Sequence, residues 1–265
     1  MATLAQPVDE PRRPNIASAD IQLPAVKTYE QVDNEILAIL KPTKAWFFGL
    51  LTAMACLGLG IFSWGYQIHQ GLGVAGYNPP VMWGVYIITF VFWVGIGHAG
   101  TLISAILYLF RAGFRTTIYR AAEAMTVFAV MTAGLFPIIH IGRPWKFFWL
   151  IPYPNWRLIW PNFKSPLVWD VFAITTYLTI STTFLFVGLI PDIAVLRDRE
   201  TNPVRKKILA FLSFGWRNTE REWRHFARAY LFLAAFSTPL VLSVHSIVTF
   251  DFAMGIVPGW HTTIF

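Results

Sequence analysis

An all-α, polytopic membrane protein with five transmembrane helices is the architecture that these 265 residues predict. Hydrophobic residues make up 55% of the chain and charged residues only 13%, about half the charge of an ordinary soluble domain. The charges are also segregated. Five runs, Ala45–His69, Val81–Phe110, Ala121–Ile141, Leu167–Pro191 and Ala229–Phe250, hold 123 residues but only two of the 35 Lys, Arg, Asp and Glu, namely Glu123 and Asp170. Every run has at least 21 residues, and about 20 apolar residues in a helix cross a hydrocarbon layer about 30 Å thick. A chain this apolar and aromatic is not disordered. Its single cysteine, Cys56, excludes a disulfide framework, a four-cysteine zinc site and an iron–sulfur cluster held by several of its own thiolates.

Residues 1–44 form the segment before the first span. They carry Asp9, Glu10, Arg12 and Arg13 and no apolar core, unlike a cleaved signal peptide. Val32, Ile36, Leu37 and Leu40 fall on one side of Tyr29–Leu40, which predicts a short amphipathic helix on the membrane. The spans follow at about 45–69, 81–110, 121–141, 167–191 and 229–250, and residues 251–265 close the chain. In Pro203–Trp216, Arg205, Lys206 and Lys207 precede Ile208, Leu209, Phe211, Leu212 and Phe214, the pattern of an interfacial helix.

Loop charge orients the chain. The N-terminal segment and the second and fourth loops together hold 17 Lys and Arg, and the other side holds only Arg143, Lys146, Arg157 and Lys164. The positive-inside rule therefore predicts a cytoplasmic N-terminus. The net charge of +7 then reflects topology and lipid contact rather than nucleic-acid binding.

With that orientation, helices one, three and five end at the outer face, and helices two and four begin there. His140 closes helix three, Asp170 lies about 5 Å into helix four, His245 lies about 8 Å below the end of helix five, and Asp251 follows that end. Asp170 and Asp251 are the only carboxylates of the outer half. A charge costing about 2.5–3.5 kcal/mol at a bilayer centre needs a partner or a task. Acids and histidines from several helices at one depth therefore form a candidate proton-handling layer. For single residues a structural role competes: Asp170 suits a helix N-terminus, and His140 suits a loop carbonyl. Pro137 and Pro239 would free the carbonyls of Ala133 and Ala235 near this layer.

The loop from Gly142 to Trp160 is dense in aromatics, and Arg143 and Trp145 within it are candidate substrate contacts. Such residues form either an interfacial belt or a wall for a flat ring. Helix two carries Gly95, Gly97 and Gly100, which favour close helix packing, and places His98 in the inner half. Thr175, Thr176, Thr179, Thr182 and Thr183 form a hydroxyl stripe on helix four that either lines a water path or bonds its own helix. Glu123, near the inner end of helix three, either opens a proton route or reaches toward headgroups. A possible proton path thus comprises Glu123, His98, Thr175, Thr179, Thr182 and His245.

Quinol oxidation releases two electrons and two protons, and His140, Asp170 and Asp251 meet the need for bases. The chain has no CxxCH for haem c. A His69–His140 or His140–His245 pair remains open for a b-haem, although no helix carries two in-membrane histidines. The expected electron acceptor is therefore a separate metal-centre subunit at the outer face, with no metal held by this chain. The competing reading is a proton-translocating or anchoring subunit without quinol chemistry.

The runs Gly-Ile-Gly-His-Ala-Gly-Thr (95–101), Arg-Ala-Ala-Glu-Ala-Met-Thr (120–126), His-Ile-Gly-Arg-Pro-Trp (140–145), Pro-Tyr-Pro-Asn (152–155), Ser-Pro-Leu-Val-Trp-Asp (165–170), Val-His-Ser-Ile-Val (244–248) and Pro-Gly-Trp-His-Thr-Thr (258–263) resemble the NrfD or polysulfide-reductase membrane-subunit family. Within it they most resemble the quinol-oxidising subunits of bacterial alternative complex III, the ActC group. The resemblance covers residues 30–265 approximately and corresponds to the first half of such a chain: an outer helix and one four-helix bundle. It implies a cofactor-free, multi-pass subunit in the bacterial inner membrane, with quinol, menaquinol in particular, as substrate at His140, Asp170 and Asp251. It further implies a periplasmic iron–sulfur subunit, c-haems in other partner subunits, further membrane subunits and a downstream terminal oxidase.

Overall fold

A computed structural model describes residues 42–76, 84–153, 158–255 and 257, together with Gln31. The amphipathic segment Tyr29–Leu40 therefore lies almost wholly outside the described residues, as do Arg157 and the run 258–263. The described residues are helical or irregular, with no strand among them. Five helices are long and apolar enough to cross a membrane: α1 (Lys44–Gln70), α2 (Val85–Leu109), α3 (Tyr119–His140), α4 (Pro166–Arg199) and α6 (Glu220–Gly255). Between the last two lies the short α5 (Pro203–Leu212). The five spans agree with the sequence reading.

The chain forms two units, residues 1–60 and 61–265. In the first, every described residue of α1 is exposed, Trp46, Phe48 and Leu51 among them. In the second, Gln67 at the end of α1 is buried and accepts a hydrogen bond from the Tyr86 hydroxyl on α2. Helices α2, α3, α4 and α6 enclose one core: Phe90 and Val94, Val130 and Ala133, Ala173 and Tyr177, Val241, Val244 and Val248. A second cluster, Ala105, Phe184, Tyr230 and Ala234, continues toward the other end. Glycines bring α2 onto α3. A Cβ at Gly97 would meet Val130 Cγ2 at 3.0 Å, and one at Gly100 would meet the Ala122 carbonyl at 2.5 Å as well as the Thr126 hydroxyl.

Helix ends differ from the charge-free runs for local reasons. The spans at 167–191 and 229–250 are both too short. α6 begins at Glu220 because Thr219 and Glu222 cap it reciprocally: Glu222 N donates to Thr219 Oγ1 at 3.3 Å, and Thr219 N donates to Glu222 Oε2 at 2.9 Å. α6 also continues through Asp251, so that residue sits inside the helix rather than after it. α4 passes Pro191 and ends at Arg199, while α2 contains a π-helical turn at Leu102–Ile106. Each connection leaves and re-enters the bundle at one end, so successive helices are antiparallel. The ends of α3 and α6 and the start of α4 therefore share one end, called here the His140 end, and the loops rich in Lys and Arg share the other, the basic end.

Candidate functional site

At the His140 end, helix alternation places Asp170 in the first turns of α4 and Asp251 in the last turns of α6. Both are buried, 2% and 5% exposed. Their carboxyl groups lie next to each other. Asp170 Oδ1 and both Asp251 oxygens have no hydrogen-bond partner among the described residues. His140 is half-buried at the end of α3. The flanking residues Trp169, Phe172, Ile247 and Phe250 line a cavity of about 370 Å³ between α4 and α6, within the range of small-molecule sites. Phe172 and Phe250 are more than half exposed, so the cavity opens on the apolar outer surface.

Arg143 and Trp145 are both exposed, Trp145 at 60%, on the loop that continues as the Pro144–Leu150 helical turn. His69, one half of the haem pair left open above, is exposed at the end of α1.

The depth assigned to the remaining histidines needs correction. Counting from the run boundaries puts His98 in the inner half and His245 in the outer layer. The two rings instead lie 5.7 Å apart at 67°, and His98 also meets Tyr177 at 5.4 Å. The runs do not begin at one common level, so equal counts give unequal depths. His98 is buried, and its Nε2 has no hydrogen-bond partner among the described residues. Tyr177 Oη shares a 2.7 Å hydrogen bond with Thr101 Oγ1.

Glu123, 2% exposed, faces inward rather than toward lipid. The Tyr230 hydroxyl donates to its Oε1, and Arg120 lies 3.8 Å from Oε2 while pairing with Asp192 at 3.1 Å. Arg115 holds Tyr230 in turn: Nη2 donates to its hydroxyl at 2.8 Å, and Nε donates to the Ser104 carbonyl at 3.2 Å, beside the π turn. Its guanidinium lies over Tyr108 and Tyr119 at 4.4 and 4.5 Å. Thr101, Ser104, Thr126, Ser181 and Ser237 form a hydroxyl-lined gap above Glu123, too tight for a water-sized sphere. Sequence reasoning missed Arg115, Tyr177 and Tyr230. The available signal was polar residues inside apolar runs opposite Glu123 and His98.

The threonine stripe takes the other of its two readings. Thr175, Thr176, Thr179, Thr182 and Thr183 are all exposed, on the outer side of the bundle, while Ala173 and Tyr177 occupy the inner side. Thr179 Oγ1 donates to the Thr175 carbonyl and Thr183 Oγ1 to that of Thr179, both at 2.7 Å. They line no path through this bundle.

A protein of Halobacterium salinarum assigned as a membrane subunit of dimethyl sulfoxide reductase is 28% identical over 156 residues, 59% of this chain and 34% of the relative. A selenate reductase subunit of Mesobacillus selenatarsenatis is 25% identical over 119 residues, 44% of this chain and 28% of the relative. The chain thus spans about a third of the length of the relatives it matches. Neither relative is named as a subunit of an alternative complex III. The profile of the polysulphide reductase NrfD family matches residues 73–265, so with its five apolar helices the chain belongs to that family of multi-pass membrane proteins.

Proposed function

We propose that the chain is the quinone-reactive membrane subunit of a respiratory oxidoreductase, and that it oxidises quinol at Asp170 and Asp251. The observation that carries this reading is the buried acid pair, with no ion-pair partner among the described residues, whose chain neighbours Trp169 and Phe250 line an apolar cavity open to the membrane side. A quinol ring entering over Trp169 and Phe250 presents hydroxyls to carboxyl oxygens that have no hydrogen-bond partner among the described residues. The unprotonated member accepts one proton; the second goes to the pair after it has released a proton outward, or to His140. Two electrons leave with the two protons, converting quinol to quinone, and pass to an iron–sulfur subunit outside this chain. The two relatives named as reductase subunits support an oxidoreductase complex. The motif resemblance supports the oxidising direction, menaquinol as substrate, an alternative complex III setting with c-haem partners and a terminal oxidase, and a bacterial inner membrane with the His140 end outward.

In the intact complex, Asp170→Asn or Asp251→Asn is expected to abolish quinol-dependent electron transfer while every subunit is retained. Arg143→Gln and Trp145→Ala are expected to weaken quinol binding less. Normal turnover in both aspartate variants would remove the reading.

A second reading rests on the polar chain that runs from Glu123 past Thr101 and Tyr177 to His98 and His245. It makes the bundle a proton conductor or an anchor. In that case Glu123→Gln uncouples proton movement and leaves quinol oxidation at full rate. The tight gap above Glu123 favours the first reading, because conduction there requires side chains to move.

A further inference from the structure

Helix α5 is held rigidly at the basic end. Asn202 Oδ1 accepts from Val204 N at 3.0 Å and Arg205 N at 3.4 Å, which caps its start. Past its end the chain reverses through Phe214 and Gly215, with φ of 48° and 69°. Arg197 of α4 pins that turn: Nη1 donates to the buried Ser213 Oγ at 3.1 Å and Nη2 to the Trp216 carbonyl at 2.9 Å. Leu209 and Leu212 are half-buried, so the helix has an inner side.

Its outer side is an apolar stripe. Val204, Ile208 and Phe211, at helical spacing, are 66%, 54% and 77% exposed. At 100° per residue, Lys207 projects about 40° beyond one edge of the stripe and Arg205 about 60° beyond the other. Neither cation has an ion-pair partner among the described residues. The level also fits. α4 has 34 residues and is therefore about 51 Å long, against about 30 Å of hydrocarbon and 40–45 Å including headgroups. Arg197, near the end of α4, falls in or just beyond the headgroup zone, and it holds α5 there.

We propose that α5 is an anionic-phospholipid site: its Val204–Ile208–Phe211 stripe enters the acyl boundary while Arg205 and Lys207 bind headgroup phosphates and the negative charge of anionic lipid. Two unpaired cations flanking a narrow apolar strip complement an anionic lipid surface. The site is independent of the quinol chemistry and lies at the opposite end of the bundle.

The test compares hydrogen exchange over 203–212 for the full chain in nanodiscs of phosphatidylcholine alone and in nanodiscs that also contain phosphatidylglycerol. Phosphatidylglycerol is expected to slow exchange there and to be retained in native mass spectra. Each cation contributes about fivefold to lipid association, so R205Q/K207Q is expected to weaken it by about 25-fold. High salt, which screens exposed charges, should reproduce that loss on the unaltered chain, so the result does not depend on the variant folding. Equal exchange in the two lipids would overturn the proposal. So would protection that survives both the double variant and high salt, or protection that appears only when another protein is added.

Discussion

Glu123 at the basic end and the Asp170–Asp251 pair at the His140 end are buried alike, 2%, 2% and 5% exposed. Glu123 has one donor and one cation: the Tyr230 hydroxyl reaches Oε1, Arg120 stands 3.8 Å from Oε2, which accepts no hydrogen bond among the described residues, and Arg115 fixes Tyr230 from behind. The aspartates have no ion-pair partner among the described residues, and each faces another acid. The first arrangement compensates a buried carboxyl and resists change. The second leaves hydrogen-bonding capacity unspent beside an opening for an apolar molecule. An acid held by a donor and a cation serves structure, whereas an acid pair with neither is set for proton traffic.

The largest effect that sharpens this contrast is expected at the pair. Asp251→Asn should lower quinol turnover by about 10²–10⁴, the usual share of a general base, as measured by acceptor reduction in intact complex. Glu123→Gln should leave that rate within a few-fold, and an equal loss in both would break the contrast.

Next, Tyr230→Phe leaves Glu123 Oε1 without its donor. A buried acceptor stranded this way costs about 1–3 kcal/mol, so thermal denaturation in detergent should move down while quinol turnover is kept. Trp169→Ala enlarges the mouth of the cavity and is expected to raise the quinol KM several-fold with kcat little changed. The smallest effect belongs to Thr179→Val on the outward stripe. It removes only a bond within its own helix and should change stability by no more than about 0.5 kcal/mol, with no change in proton movement. A clear loss of proton movement there would revive the threonine path.

Much of the fold was legible because a membrane forbids unpaired charge: the missing Lys, Arg, Asp and Glu mark all five spans, and helix alternation alone brings Asp170 and Asp251 to one end. The helix ends were less legible because capping chemistry sets them, as Thr219 and Glu222 show by starting α6 nine residues before its apolar run. The His98–His245 contact was hidden because depth along one helix has no common origin with depth along another. The threonines misled because a hydroxyl stripe reveals that a helix has a distinct face, and only the packing of Ala173 and Tyr177 decides which face turns inward. Tyr230 was hidden because nothing local ties it to an acid more than a hundred residues earlier.

The glycine seam between α2 and α3 has a mechanical consequence. With Thr126 and the Ala122 carbonyl filling the space where a side chain at Gly100 would stand, neither rod can rotate or slide without collision. The two behave as one stiff beam, and compliance is left to the aromatic-lined seam between α4 and α6, where the entering ring would have to be admitted.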